Sequence, residues 1–129
     1  MADRRAEVAK RSSSSGVELI AAERRRQLRS YTLVDDAQHA GGELAMAAAC
    51  AASPDPIYVM ETFANSVEFN DPWPWLGQYC DFRPHDGNVL DRSRQTRLER
   101  IRELAKAGAL VAAEIDRLSR VTNAEWKGK

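Results

Sequence analysis

The sequence predicts an all-α protein: a small antiparallel helical bundle with a tryptophan- and proline-rich loop packed on it. Three observations carry this prediction. The proline-free stretch 90–121 repeats Leu98, Ile101, Leu104, Gly108, Val111, Ile115 and Leu118 at three- and four-residue steps, the period of a helix with one apolar stripe. The stretches 17–31 and 35–52 show the same period with proline-rich or polar boundaries. The chain has 129 residues, enough to bury one core but not two. It divides into a flexible lead-in over 1–16, a single helical domain over 17–122 and a polar tail over 123–129.

Taken in order, the lead-in is polar and basic and closes on four serines and a glycine, a composition that solvates readily. The first helix, 17–31, carries Val17, Ile20, Ala21, Leu28 and Tyr31 on its apolar edge, with Arg24 among them. An arginine there buries its stem and solvates its head, or aims its planar fork at a carboxylate or phosphate. The plainer, snorkelling reading is weighted about two to one.

The second helix, 35–52, starts with Asp35 or Asp36 as cap and is stopped by Ser53-Pro54-Asp55-Pro56. Ala37, Ala40, Leu44, Ala47, Ala48 and Ala51 give it a smooth face suited to the small residues around Gly108. Packing of Ala47 or Ala48 on Gly108 is the specific expectation, because a mid-helix glycine costs about 1 kcal/mol relative to alanine unless a close contact compensates. The segment 57–67 is read as a short helix with Ile57, Met60, Phe63, Ala64 and Val67 inward, a strand over 57–60 being the other reading. The segment 70–88 has three prolines, two glycines, Trp73, Trp75, Leu76, Tyr79 and Phe82, a lid folded onto the helices. Trp126 belongs to the polar tail.

Nineteen basic and nineteen acidic side chains cancel, so neither nucleic acid nor a membrane is indicated as a partner by net charge. The charge is nonetheless segregated. Between Leu33 and Leu90 nine acidic residues face one basic one, Arg83, which leaves the middle at −8 and the two ends together at +8. Such halves attract within one fold or across a homo-oligomer. No apolar run approaches the ~18 residues of a membrane span. Cys50 and Cys80 lack metal-ligand spacing, and a cytoplasmic protein with reduced thiols is expected.

Two constellations suggest chemistry. Asp36, His39 and Glu43 fall along one edge of the second helix, all of them types that ligate a divalent metal. With Glu114, an unexpected acid on the flank of the long stripe, they would hold Mg or Mn for phosphoryl chemistry. In the plainer reading, weighted about two to one, they are boundary residues and Glu114 pairs with Arg24 or Lys106. The metal-free version is a ligand pocket of Arg24, His39, Glu43 and Glu114, with Trp73 or Trp75 as a stacking wall. A small anionic ligand would put phosphate on Arg24 and base on an indole. Glycine-rich phosphate loops, GxSxG and HExxH are all absent from the sequence. The arginines Arg92, Arg94, Arg97, Arg100 and Arg102 read as a solvated helix surface.

As a set, AAERRRQ, DDAQHAGGELAMAAACAA, WPW and LAKAGALVAAEIDRL resemble a group of small proteins encoded by bacteriophages and prophages, over about 16–120 of this chain. The resemblance implies a phage-accessory setting within a bacterial host. The expectation is a non-enzymatic counter-defence or host-modulating protein that binds a nucleotide-like signal or a host protein. The alternative is a metal-dependent, all-helical nucleotide pyrophosphohydrolase similar to the MazG-like enzymes. Those use ExxE and ExxD clusters, where this chain has DxxHxxxE and a lone Glu114.

Overall fold

The computed structural model describes residues 15–30, 38–75 and 95–128. Helix α1 spans Gly16–Ser30, α2 spans Glu43–Ala52 and α3 spans Arg97–Arg120. Between α2 and α3 lie two strands, β1 Val59–Phe63 and β2 Ser66–Asn70. The described residues therefore form a mixed fold, three helices and an antiparallel hairpin, and the all-α helical bundle is corrected.

The hairpin overturns the helix expected over 57–67. Val59 pairs with Asn70, Met60 with Phe69, Glu61 with Glu68, Thr62 with Val67 and Phe63 with Ser66, which leaves Ala64–Asn65 as a two-residue turn. The apolar residues of this segment fit a helical and a strand period equally well over so short a run. β-branched Val59, Thr62 and Val67, with Phe63 and Phe69, suit a pleated surface, and Asn65 supplies turn chemistry. Nearly every residue of the hairpin is exposed.

Helix α1 begins earlier than expected because Ser15 caps it: its Oγ accepts from the Glu18 N–H at 3.1 Å. Helix α2 is shorter than the expected 35–52. It starts after Gly42, whose φ of 90° is left-handed, a conformation glycine adopts at little cost. Glu43 folds back so that its Oε2 accepts from the Gly41 N–H at 3.1 Å. The proposed caps Asp35 and Asp36 lie outside the described residues, as do 1–14, Cys80 and the 76–88 part of the lid.

Helix α3 opens on a capping box: the Thr96 side chain accepts from the Glu99 N–H. Its buried face is Glu103, Ala107, Ala109, Leu110, Ala113, Glu114 and Arg117. The core gathers Leu44, Ala47, Ala48 and Cys50 of α2, Leu110 and Ala113 of α3, and Trp73 and Trp75 from the segment after β2. The expected contact between Gly108 and Ala47 or Ala48 is redirected. A Cβ on Gly108 would stand 2.5 Å from Ile20 Cδ1 and 2.6 Å from its Cγ1, so the glycine makes room for α1.

Part of the stripe read as core is outside, while Ile101, Ala105, Gly108, Ala112 and Leu118 are half-buried. Leu98, Leu104, Val111 and Ile115 are 58%, 43%, 47% and 57% exposed. Alanines admit α2 to closer approach than leucines would. The charged residues on that inner face neutralise one another within a helical turn, which lowers the cost of burying them.

Candidate functional site

The start of α2, the second half of α3 and the Trp73–Trp75 segment converge. Asp71 Oδ1 accepts from the Trp73 N–H at 3.0 Å, a local turn that sends the two tryptophans inward. Their rings meet edge to face at 5.6 Å, and the His39 ring lies 5.1 Å from Trp75. Both indoles are buried; they serve as core walls rather than as an open stacking surface.

In the second half of α3, Arg117 Nε donates to Glu114 Oε1 at 2.6 Å with both side chains buried. The hydrogen bond from Glu114 raises the Arg117 pKa above the ordinary arginine value. Burial opposes that rise, while the charges of Glu114 and Glu43 add to it. Glu114 holds this guanidinium directly, and Glu43 acts on it only through its charge. This corrects the pairing expected for Glu114: its partner is Arg117, not Arg24 or Lys106.

Arg24 reaches α3 from α1. Its Nε and Nη2 both donate to Asp116 Oδ2, at 3.3 and 3.1 Å, so its fork holds a carboxylate of α3. Of the six residues expected to line one pocket, His39 and Trp73 pack on Trp75, Glu114 is held by Arg117, Glu43 by the Gly41 N–H and Arg24 by Asp116. His39 precedes α2 instead of riding on it, so the helical spacing assumed for His39 and Glu43 does not hold. Asp36 lies outside the described residues. Among the described residues, no three His, Cys, Asp or Glu side chains are grouped to hold a metal ion.

Several participants were missed from the sequence. Arg117 was detectable as the i+3 partner of Glu114. Arg100, expected on a solvated surface, reaches across to α2, where Nη1 and Nη2 donate to the carbonyls of Ala51 and Ala52 at 2.9 and 2.5 Å. It also pairs with buried Glu103 at 3.2 Å, which accepts from Gln95 as well.

Two concave surfaces flank α3. One, about 460 Å³, is an apolar groove between α2 and α3 whose lining includes Ala45, Ala49, Leu104, Gly108, Val111 and Ile115. The other, about 640 Å³, lies between α1 and α3 and is rich in cations. Comparison of the chain with protein-family models, curated proteins and solved structures gives no match. No helix among the described residues is long and apolar enough to cross a membrane.

Proposed function

We propose that this chain is a non-enzymatic binding protein of the phage-accessory type, working as a homo-oligomer built on α3. The observation that carries the reading is the inverted burial of that helix: Glu103, Glu114 and Arg117 are inside while Leu104, Val111 and Ile115 line an open apolar groove. Apolar surface left in water at a concave site marks a place where a partner sits.

The occupant proposed is a second copy. Two α3 helices laid antiparallel about a two-fold axis set Leu104 against the partner's Ile115 and Val111 over the partner's Gly108, large against small. With 24 residues in α3 and 10 in α2, a strip ~10 Å wide along both gives about 500 Å² per partner, near the ~1,000 Å² total of a specific interface. The opposite charges of the middle and ends of the chain also favour association.

The hydrolase alternative needs carboxylates free to hold Mg or Mn. Here Glu114 is held by the Arg117 guanidinium and Glu43 by the Gly41 N–H, which weighs toward binding without turnover. The test has two parts. Sedimentation at about 50 µM, a concentration that populates micromolar complexes, should give at least a dimer; a monomer there overturns the oligomer. Incubation with nucleoside triphosphates and Mg or Mn should return them unchanged by mass spectrometry, and release of pyrophosphate overturns the non-enzymatic reading.

A further inference from the structure

The cleft between α1 and α3 concentrates positive charge in a way that the fold does not require. Arg26 and Arg29 enter it from α1, Arg102 and Lys106 from α3, and Glu23 is the one acid among its lining residues. Glu23 is already engaged: Arg26 donates to it from Nε and Nη2 at 2.6–3.1 Å. Among the described residues, Arg29, Arg102 and Lys106 make no hydrogen bond or ion pair. Three uncommitted cations around one concavity repel each other, and an anion seated between them relieves that repulsion.

The floor of the cleft is of another kind. Leu19, Ala22, Ile101 and Ala105 line it there, an apolar part beside the cations. The cleft is about 640 Å³, within the ~300–1,000 Å³ of small-ligand sites. It lies apart from the Trp73–His39 group and shares no lining residue with the apolar groove.

We infer that this cleft is the seat of a small phosphorylated ligand of the nucleotide class, its phosphates on Arg29, Arg102 and Lys106 and its ring on the Leu19–Ile101 floor. The inference rests on reading the chain as a binding protein and names the ligand class and the place. It also moves the phosphate contact away from Arg24, whose fork is filled by Asp116. A polynucleotide is the less favoured ligand, because a bounded cleft on a chain of zero net charge offers no track for a long backbone.

The full chain is titrated calorimetrically with adenosine diphosphate, with inorganic pyrophosphate and with a short single-stranded oligonucleotide. Adenosine diphosphate should bind with a Kd on the order of tens of micromolar, weaken as salt is raised and bind more tightly than pyrophosphate. The double variant Arg102→Gln/Lys106→Gln should weaken it at least about tenfold, since two charge-assisted contacts are lost. Arg25→Gln, on the exposed side of α1, should leave it unchanged. No binding at millimolar nucleotide, or equal affinity in the double variant, overturns the site. Pyrophosphate binding as well as the nucleotide overturns the nucleotide class, and an oligonucleotide binding more tightly than the nucleotide replaces it with nucleic acid. Sedimentation of the double variant reads the proposed dimer independently, because the dimer uses the other face of α3.

Discussion

Gly108 shows how one missing side chain sets a helix crossing. Alanine there gains up to about 1 kcal/mol of helix propensity, yet its Cβ would overlap Ile20 at 2.5 Å. Ile20 is β-branched and stiff at χ1, so it yields poorly, and overpacking of this kind costs about 1–3 kcal/mol. Gly108→Ala is therefore expected to lower stability by about 1 kcal/mol in the native background, measured by urea denaturation. In an Ile20→Ala background the same change should become neutral or stabilising, a coupling that a double-mutant cycle reads directly. Glu114 is the second residue of this kind. Glu114→Ala removes the carboxylate bound at Nε of the buried Arg117 and should cost about 1–3 kcal/mol. The raised Arg117 pKa gives a sign to its pH dependence. The arginine's contribution is complete below the ordinary arginine range and is lost only as pH rises beyond it, so raising the pH from neutral to mildly alkaline should leave it intact.

At the scale of elements, the helices are fixed by their ends. Thr96 and Glu99 start α3, Ser15 starts α1, and Arg100 satisfies the last carbonyls of α2 from a neighbouring helix. The hairpin has weaker support. Glu61 and Glu68 stand directly opposite each other, a like-charge pair that destabilises a ladder, and a two-stranded hairpin is marginal by itself. Glu61→Lys makes that pair opposite in charge and should stabilise the hairpin by about 0.2–1 kcal/mol. Slower amide hydrogen exchange over 59–70, with unchanged protection in α3, is the expected readout. The capping residues stand in the sequence as Ser-x-x-Glu and Thr-x-x-Glu, a signal that the expected helix bounds 17–31 and 90–121 did not use. The hairpin was not, because five residues of mixed apolar pattern carry too little period to separate strand from helix.

At the scale of the whole molecule, the apolar stripe of α3 ties fold to assembly. Val111 is 47% exposed in the middle of the proposed interface, so Val111→Glu should dissociate the dimer while leaving circular dichroism and the monomer fold unchanged. Loss of helix with the same substitution would instead place Val111 in the monomer core. The sequence by itself determined that the stretch 90–121 holds a long helix and that Ser53–Pro56 closes α2. Local periodicity, caps and prolines act over a few residues, and they suffice for that. Only the tertiary structure decided which face of α3 turns inward, and with it where Arg24, Arg100 and Arg117 send their charges. Two faces of that helix compete, one of leucine, valine and isoleucine and one of alanine with paired charges. The alanine face faces inward because small side chains let α2 approach and Glu114–Arg117 and Glu103–Arg100 neutralise each other there, a balance between distant elements that no local pattern records.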